Sequence, residues 1–398
     1  MSDGISISDS IAWAKPEDVG MSRERLAGLG ERLEADIADG GLPGAVALVA
    51  RRGRIVHYKA YGRRDPASPD PMQRDTIFRI YSMTKPITSV AAMMLVEEGR
   101  LDLAAPVSRW LPDFAEMQVF AGEGRTVSAA RPITIHDLLR HTSGLALDFF
   151  EPGTVGPLYA RHQTGRRDRT NAEQAALVAS LPLACQPGER FVYGRSTDVL
   201  GHVIELVTGE TIDEHLRTRV LWPLGMMETG FHVPADFAHR IAGGHPADPD
   251  TGTPASFIDL TEEVPLKAAG GGLASTAADY ARFLHMILNG GALDGRRLLS
   301  PATLAFMMSD HLAAMVGNNL DILPEGYGFG LGFAVRRETG IAPFPGSPGD
   351  CWWEGIAGTS FFVDPAQQLY AILMLQAPGR REHYRRMFRN LVYAAVTG

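Results

Sequence analysis

A serine followed three positions later by a lysine, where an apolar extended run meets a helical one, constrains this chain more than any other feature. The junction reads Arg79-Ile80-Tyr81-Ser82-Met83-Thr84-Lys85-Pro86. Residues 76–81 have strand character. Residues 84–98 have helical character, with Ile87, Val90, Met94 and Leu95 as the buried side and Gly99 closing the run. A spacing of three places Ser82 and Lys85 on one face of the incoming helix. A serine hydroxyl is a poor nucleophile until a neighbour takes its proton. An amine held close and partly dehydrated titrates near enough to neutrality to do so, and a helix N-terminus favours developing negative charge. The chain has 19 serines and only four lysines (Lys15, Lys59, Lys85 and Lys267), so chance supplies about 0.2 such pairs, and this is the only one. The plain alternative is an N-cap serine beside a surface lysine.

At 398 residues the chain exceeds the usual size of one domain and can bury a sizeable core. Its 45% hydrophobic and 21% charged residues are ordinary for a soluble globular enzyme. A net charge of −8 argues against nucleic acid or an anionic membrane as a main partner. Cys185 and Cys351 form no disulfide framework or metal pattern and read as buried thiols. Residues 1–22 lack a basic segment followed by an apolar one, so no signal peptide is expected. No run approaches the length of a membrane span. The expectation is a cytoplasmic protein.

Taken in order, Ser22 reads as the N-cap of a helix carrying Leu26, Leu29, Leu33 and Ile37. Residues 45–50 and 54–61 read as two strands around a turn at Arg52-Gly53. Between residues 101 and 264 helical patterns alternate with long polar loops. Thr134 to Asp137 fits a capping box, and His141-Thr142-Ser143-Gly144 reads as the polar turn that ends its helix. Residues 146–171 read as a long loop carrying Phe149, Phe150 and Tyr159. Residues 199–207 and 212–220 read as helices. Gly270-Gly271-Gly272 lacks the ending of a phosphate loop and reads as a flexible turn before a helix capped by Thr276 and Asp279. Strand character returns at 327–335, 358–363 and 368–374. A last helix over 381–396 buries Tyr384, Phe388, Leu391 and Ala395, with its arginines (Arg380, Arg381, Arg385, Arg386, Arg389) on a solvated face. The outline is an α/β (α+β) protein. An antiparallel sheet flanked by helices is built from both chain ends (1–105 and 265–398), 106–264 forms a mostly helical second lobe, and the active site lies in the cleft between them.

Ser82-x-x-Lys85 resembles the nucleophile motif of the penicillin-recognising serine hydrolases, the serine β-lactamase-like superfamily. Three further segments match that family in order. They are Ile135-His136-Asp137-Leu138-Leu139-Arg140-His141-Thr142-Ser143-Gly144-Leu145, then Phe191-Val192-Tyr193-Gly194-Arg195-Ser196, then Gly270-Gly271-Gly272-Leu273-Ala274-Ser275-Thr276. The resemblance spans roughly residues 22–393 and implies the β-lactamase/DD-peptidase-like fold with Ser82 as nucleophile. It implies that Tyr193 stands beside Lys85, where a nearby ammonium lowers a phenol's pKa, so Tyr193 can accept the serine proton and later return it. Two departures narrow the family. Class C β-lactamases carry Tyr-x-Asn, and here Arg195, which has no acceptor, replaces the amide. β-Lactamases and penicillin-binding proteins carry Lys-Thr-Gly on a strand. Here the stretch is Trp353-Glu354-Gly355-Ile356-Ala357-Gly358, similar to the Trp-x-Gly of family VIII carboxylesterases. An indole offers apolar area and one N–H donor, which suits an uncharged ester. By the same resemblance the backbone N–H groups of Ser82 and Ile356 form the oxyanion hole, and Gly355 lets the backbone approach substrate.

The expectation is therefore a serine carboxylesterase that cleaves short-chain acyl esters of small molecules through an acyl-serine, with Ser82, Lys85 and Tyr193 catalytic and no metal or cofactor. Trp353, Trp352, Tyr327, Phe149 and Phe150 are the candidate pocket walls. An acyltransferase or an amide or β-lactam hydrolase on the same fold shares the chemistry as far as the acyl-enzyme. A non-catalytic binding protein that kept the fold is the alternative of another class, and the joint presence of Ser82, Lys85 and Tyr193 argues against it. No serine stands in Gly-x-Ser-x-Gly and no His-Glu-x-x-His occurs, so α/β-hydrolase and zinc-hydrolase readings lack a motif. The oligomeric state is unknown from the sequence.

Overall fold

Apolar strands from the two chain ends pair with each other and set the architecture. The structure is a computed structural model and describes residues 11–151, 153–312, 315 and 322–398, so the first ten of the residues read as lacking a signal peptide lie outside it. Strands β1 (Gly44–Arg51) and β2 (Arg54–Gly62) form the N-terminal hairpin. Strands β3 (Tyr327–Phe329), β4 (Ala334–Arg336), β5 (Cys351–Glu354), β6 (Ser360–Asp364) and β7 (Leu369–Leu375) come from the C-terminal part. They make one seven-stranded sheet in the order β2-β1-β7-β6-β5-β4-β3, and every pairing is antiparallel. Chain ends meet where β1 pairs β7, with Val46 opposite Met374 and Leu48 opposite Ile372. Every residue of β1 and β7 is buried, as befits central strands covered on both faces.

Helices cover both faces. Ser22 caps α1 (Arg23–Ala38) by accepting the Arg25 N–H, and Leu26, Leu29 and Leu33 point inward. This helix packs on β1, β2 and the terminal helix. The nucleophile helix, α2 (Thr84–Glu97), is buried along twelve consecutive residues, from Thr84 to Leu95, and so is a core helix rather than a surface one. Between it and the C-terminal strands lie α3 (Ile135–Leu139), α4 (Gly156–Arg161), α5 (Asn171–Ala179), α6 (Ser196–Thr208) and α7 (Ile212–Leu216), followed by α8 (Ala277–Leu288) and α9 (Pro301–Met307). The chain closes with α10 (Arg381–Ala394). One sheet face presents Trp353 and Phe361, opposite one another in register, and Phe361 meets Tyr280 of α8. The other face presents Trp352 and Phe362, and Phe362 meets Phe388 of α10.

The α/β class and the antiparallel sheet shared by both ends match the sequence reading. So do the Thr134–Asp137 capping box and the two buried free thiols. Details differ. Only Phe78–Arg79 of the expected strand at 76–81 is extended, paired with Ala274–Ser275. The strand expected over 327–335 is two short strands joined at Gly332 (φ 107°). The loop over 146–171 contains α4. The helix expected over 212–220 leaves α geometry at Leu216 and continues as a π turn through Leu221. The arginines of α10 do not form one solvated face. Arg389 is 3% exposed and its Nη2 lies 2.5 Å from Asp350 Oδ2, and Arg385 Nη1 is 2.8 Å from Glu354 Oε2. Among the described residues no helix is long and apolar enough to cross a membrane.

Candidate active site

Ser82 sits in a single 3-10 turn, Tyr81–Met83, between the short strand Phe78–Arg79 and α2. It does not cap the helix; the N-cap position is Met83, with no side-chain bond. The turn is sharpened by Tyr81, a non-glycine residue at φ 43°. Such a residue persists only where its surroundings over-determine it, and four ties do so here. Tyr81 Oη accepts the Ile258 N–H at 3.2 Å. The Ile80 N–H reaches the Leu273 carbonyl at 3.1 Å, Tyr280 Oη donates to the Met83 carbonyl at 2.9 Å, and Gln376 Nε2 donates to the Arg79 carbonyl at 3.4 Å.

Lys85, 4% exposed, turns back one helical turn toward the serine. Its Nζ is 3.2 Å from Ser82 Oγ and 2.5 Å from the Gly270 carbonyl oxygen. That carbonyl is aimed by a carboxylate, since Asp198 Oδ1 accepts the Gly270 N–H at 2.8 Å. The glycine triplet read as a flexible turn therefore supplies the lysine's acceptor. Its Gly-Gly-Gly signature marked the place, but a main-chain role leaves no side-chain signal.

Tyr193, 7% exposed, stands over the lysine, with Nζ 4.6 Å from the centre of its ring. Its hydroxyl accepts the indole N–H of Trp353 at 3.3 Å. The one donor of Trp353, expected to face substrate, is thus spent on the phenol oxygen. Trp353 extends the wall instead, 5.3 Å from the Tyr193 ring and 5.1 Å from that of Phe329. Phe150 meets Tyr193 edge-on at 5.9 Å, and Phe149, 59% exposed, lies 4.7 Å from Phe150 at the rim.

After Trp353 the end of β5 reaches the nucleophile turn. Gly355 makes this approach possible. A Cβ there would stand 2.6 Å from the Ile80 carbonyl oxygen and would also collide with Thr359 Oγ1. Neither the Ser82 nor the Ile356 N–H has an internal acceptor among the described residues, which leaves both free to donate. Ile356 itself is 41% exposed.

Two expected wall residues are elsewhere. Tyr327 and Trp352 lie on the opposite sheet face, under α10. Tyr327 Oη donates to Asp350 Oδ1 at 2.8 Å and Trp352 lies under the Arg385 guanidinium at 4.3 Å. The reason is the two-residue period of a strand, which sends Trp352 and Trp353 to opposite faces. Arg195, in place of the family asparagine, also faces away from catalysis. Its guanidinium pairs with Asp148 Oδ1 at 3.1 Å and Asp198 Oδ2 at 3.4 Å, so it holds the carboxylate that aims the Gly270 peptide. Ser143, in the polar turn after α3, shares its hydroxyl with Ser196 Oγ at 2.8 Å. Among the described residues no cluster of three His, Cys, Asp or Glu side chains could hold a metal ion.

Comparisons with known proteins agree with the fold. The β-lactamase family model matches residues 29–395. Protein Rv1367c of Mycobacterium tuberculosis is 38% identical over 366 residues, covering 86% of this chain and 88% of the relative. Esterase EstB of Burkholderia gladioli is 34% identical over 379 residues, covering 87% and 90%. The structure of EstCE1, described as a hydrolase with promiscuous acyltransferase activity, superposes with a TM-score of 0.78 at 29% identity, over 93% of this chain and 99% of that one.

Proposed function

We propose that this chain, which belongs to the β-lactamase family, is a serine carboxylesterase of the family VIII type that hydrolyses short-chain acyl esters of small molecules. The observation that carries the reading is the contact of Lys85 Nζ with Ser82 Oγ under a Tyr193–Trp353 wall, where the position that would offer a cation to a β-lactam carboxylate holds an indole. The site lies in the cleft between the sheet-bearing part (1–105 and 265–398) and the mostly helical part (106–264). The free, buried thiols fit a reducing compartment, and a cytoplasmic location belongs to the proposal.

In the proposed reaction, Ser82 Oγ attacks the ester carbonyl while its proton passes to neutral Lys85. The carbonyl π pair moves to oxygen, where the Ser82 and Ile356 N–H groups receive it; one such donor is worth about 2.7–4 kcal/mol. The intermediate collapses with loss of the alkoxide, which takes a proton from Tyr193, and Lys85 returns the proton to the phenolate. Water then attacks the acyl-serine by the same route, releasing the acid and restoring Ser82. Gly270, held by Asp198, keeps the amine in place throughout. A second reading, favoured by the likeness to EstCE1, gives the acyl group to an alcohol or amine instead of water.

The acyl-serine is testable directly. A fluorophosphonate should add covalently to Ser82, found by peptide mass spectrometry, and should fail to label Ser82→Ala. Labelling of another residue, or equal labelling of both proteins, would remove Ser82 as nucleophile.

A further inference from the structure

His141 belongs to a motif that the esterase chemistry above leaves unused. It follows α3 in left-handed backbone (φ 55°), a region that histidine enters more readily than most side chains, and it is 1% exposed. Its contacts converge on one residue. The His141 carbonyl accepts the Val192 N–H at 2.8 Å, and its Nδ1 accepts the Gly194 N–H at 3.4 Å. His141 therefore holds the backbone N–H of each residue next to Tyr193, Val192 before it and Gly194 after it.

The tautomer follows. An amide N–H can only donate, so Nδ1 carries a lone pair and the ring proton is on Nε2, facing Thr197 Oγ1 at 3.4 Å. The imidazole also packs on the tyrosine itself, with ring centroids 4.8 Å apart, and on Phe329 at 5.5 Å. The close fit extends to Gly194, where a Cβ would collide with the Leu145 carbonyl. Protonating Nδ1 would remove its acceptor role. Burial first, and then the charge of Lys85, hold the ring well below the ordinary histidine pKa, so it stays an acceptor at neutral pH.

We propose that His141 is a positioning residue for Tyr193, a clamp of one carbonyl and one imidazole nitrogen that holds the N–H groups of Val192 and Gly194, the residues on either side of the tyrosine, and so aims its hydroxyl. The hydroxyl's task as proton donor to the leaving alcohol rests on the esterase reading; the clamp itself does not.

The test compares His141→Asn, whose Oδ1 can take the place of Nδ1 and which accepts left-handed backbone, with His141→Gln, whose amide lies farther out. Ethyl butyrate and p-nitrophenyl butyrate serve as substrates, because an ethoxide needs a proton to leave and a nitrophenolate does not. His141→Gln should lose on the order of 10²-fold in kcat on the ethyl ester, the scale of a small misplacement of a reacting group. Its KM should hold, and its loss on the nitrophenyl ester should be smaller. His141→Asn should recover most of the loss. The double variant with Tyr193→Phe should be no slower than Tyr193→Phe alone. Hydrogen exchange at the Gly194 amide should be slow in the wild type and His141→Asn and fast in His141→Gln. Equal losses on the two esters, multiplied losses in the double variant, or unchanged Gly194 exchange would overturn the proposal. A wild type that hydrolyses neither ester defeats the esterase reading, and the exchange rates then decide the clamp alone.

Discussion

Trp352 and Trp353 are consecutive residues of one strand, both about 2% exposed, yet they serve opposite sides of the sheet by opposite physics. The Trp353 side is an aromatic wall around one buried amine, with Lys85, Tyr193 and His141 in contact and the amine's hydrogen bonds going to a hydroxyl and a carbonyl. The Trp352 side is a closed ionic knot. Asp350, fully buried, lies 2.7 Å from Arg336 Nε and 2.5 Å from Arg389 Nη2, with Tyr327 as a further donor. In the knot every charge meets an opposite charge, which fixes the terminal helix to β4 and β5. On the Trp353 side Lys85 meets only neutral groups at hydrogen-bond distance. The same strand therefore separates an amine held by neutral acceptors from guanidinium groups held by a buried carboxylate.

The largest effect that sharpens this contrast is at Lys85. Lys85→Met should lower kcat about 10²–10⁴-fold, the usual worth of a positioned general base, with little change in the melting curve; full activity would show that the serine has another base. On the other face, Asp350→Ala leaves Arg336 and Arg389 buried without their anion. Breaking a buried pair this way costs about 3–5 kcal/mol, visible as a lower urea midpoint, while kcat per fluorophosphonate-titrated site should not move. A fall in kcat without a fall in stability would erase the contrast between the faces.

The two tryptophans form a matched pair of smaller tests. Trp353→Phe keeps the wall and removes the N–H that Tyr193 accepts. A hydrogen bond to a group that develops charge is worth about 1.5–3 kcal/mol, so kcat should fall about 10–100-fold. Trp352→Phe weakens the buried stack under Arg385, worth about 2 kcal/mol when desolvated. It should lower stability by about that much and leave kcat alone. Equal kinetic losses in both variants would break the comparison.

The smallest effect is with pH. Burial depresses the pKa of His57 and of His136, each from 6.5 to about 4, and that of His141 below 6.5. Each is neutral in the fold and charges more readily when unfolded. Their contribution to stability is thus complete above pH 6.5 and is lost as the pH falls from there through about 4. Unfolding midpoints should be flat from pH 7 to 8 and drop below pH 6; replacing His57 with Gln should flatten part of the acid slope.

Much of the site was legible because its chemistry is local in sequence. Ser82 and Lys85 share one helical turn, and Tyr193, Trp353 and Gly355 sit in short segments with family counterparts. Strand patterns at both ends, with few between them, exposed the shared sheet, although its central pairing joins residues as distant as Val46 and Met374. Tyr327 and Trp352 were misplaced because aromatic character was read without strand parity, although two adjacent residues of a strand cannot face the same pocket. Arg389 could not be placed from its own neighbourhood, and Arg195 only in part, through Asp198 three residues on. Their fates depend on Asp148 and Asp350, 47 and 39 residues away. The Gly270 carbonyl was invisible because its contribution is main chain, and His141 because a buried clamp and a helix-end turn look alike in sequence.

The central claim, that a serine nucleophile framed by a lysine and an indole cleaves uncharged esters, is tested most directly by one paired assay. Hydrolysis of p-nitrophenyl butyrate is measured for the wild type and Ser82→Ala, with a chromogenic cephalosporin beside it. Ester turnover should be strong in the wild type and vanish in the variant, with little cephalosporin turnover in either. Equal ester rates in the two proteins, or a cephalosporin hydrolysed faster than the ester, would contradict it.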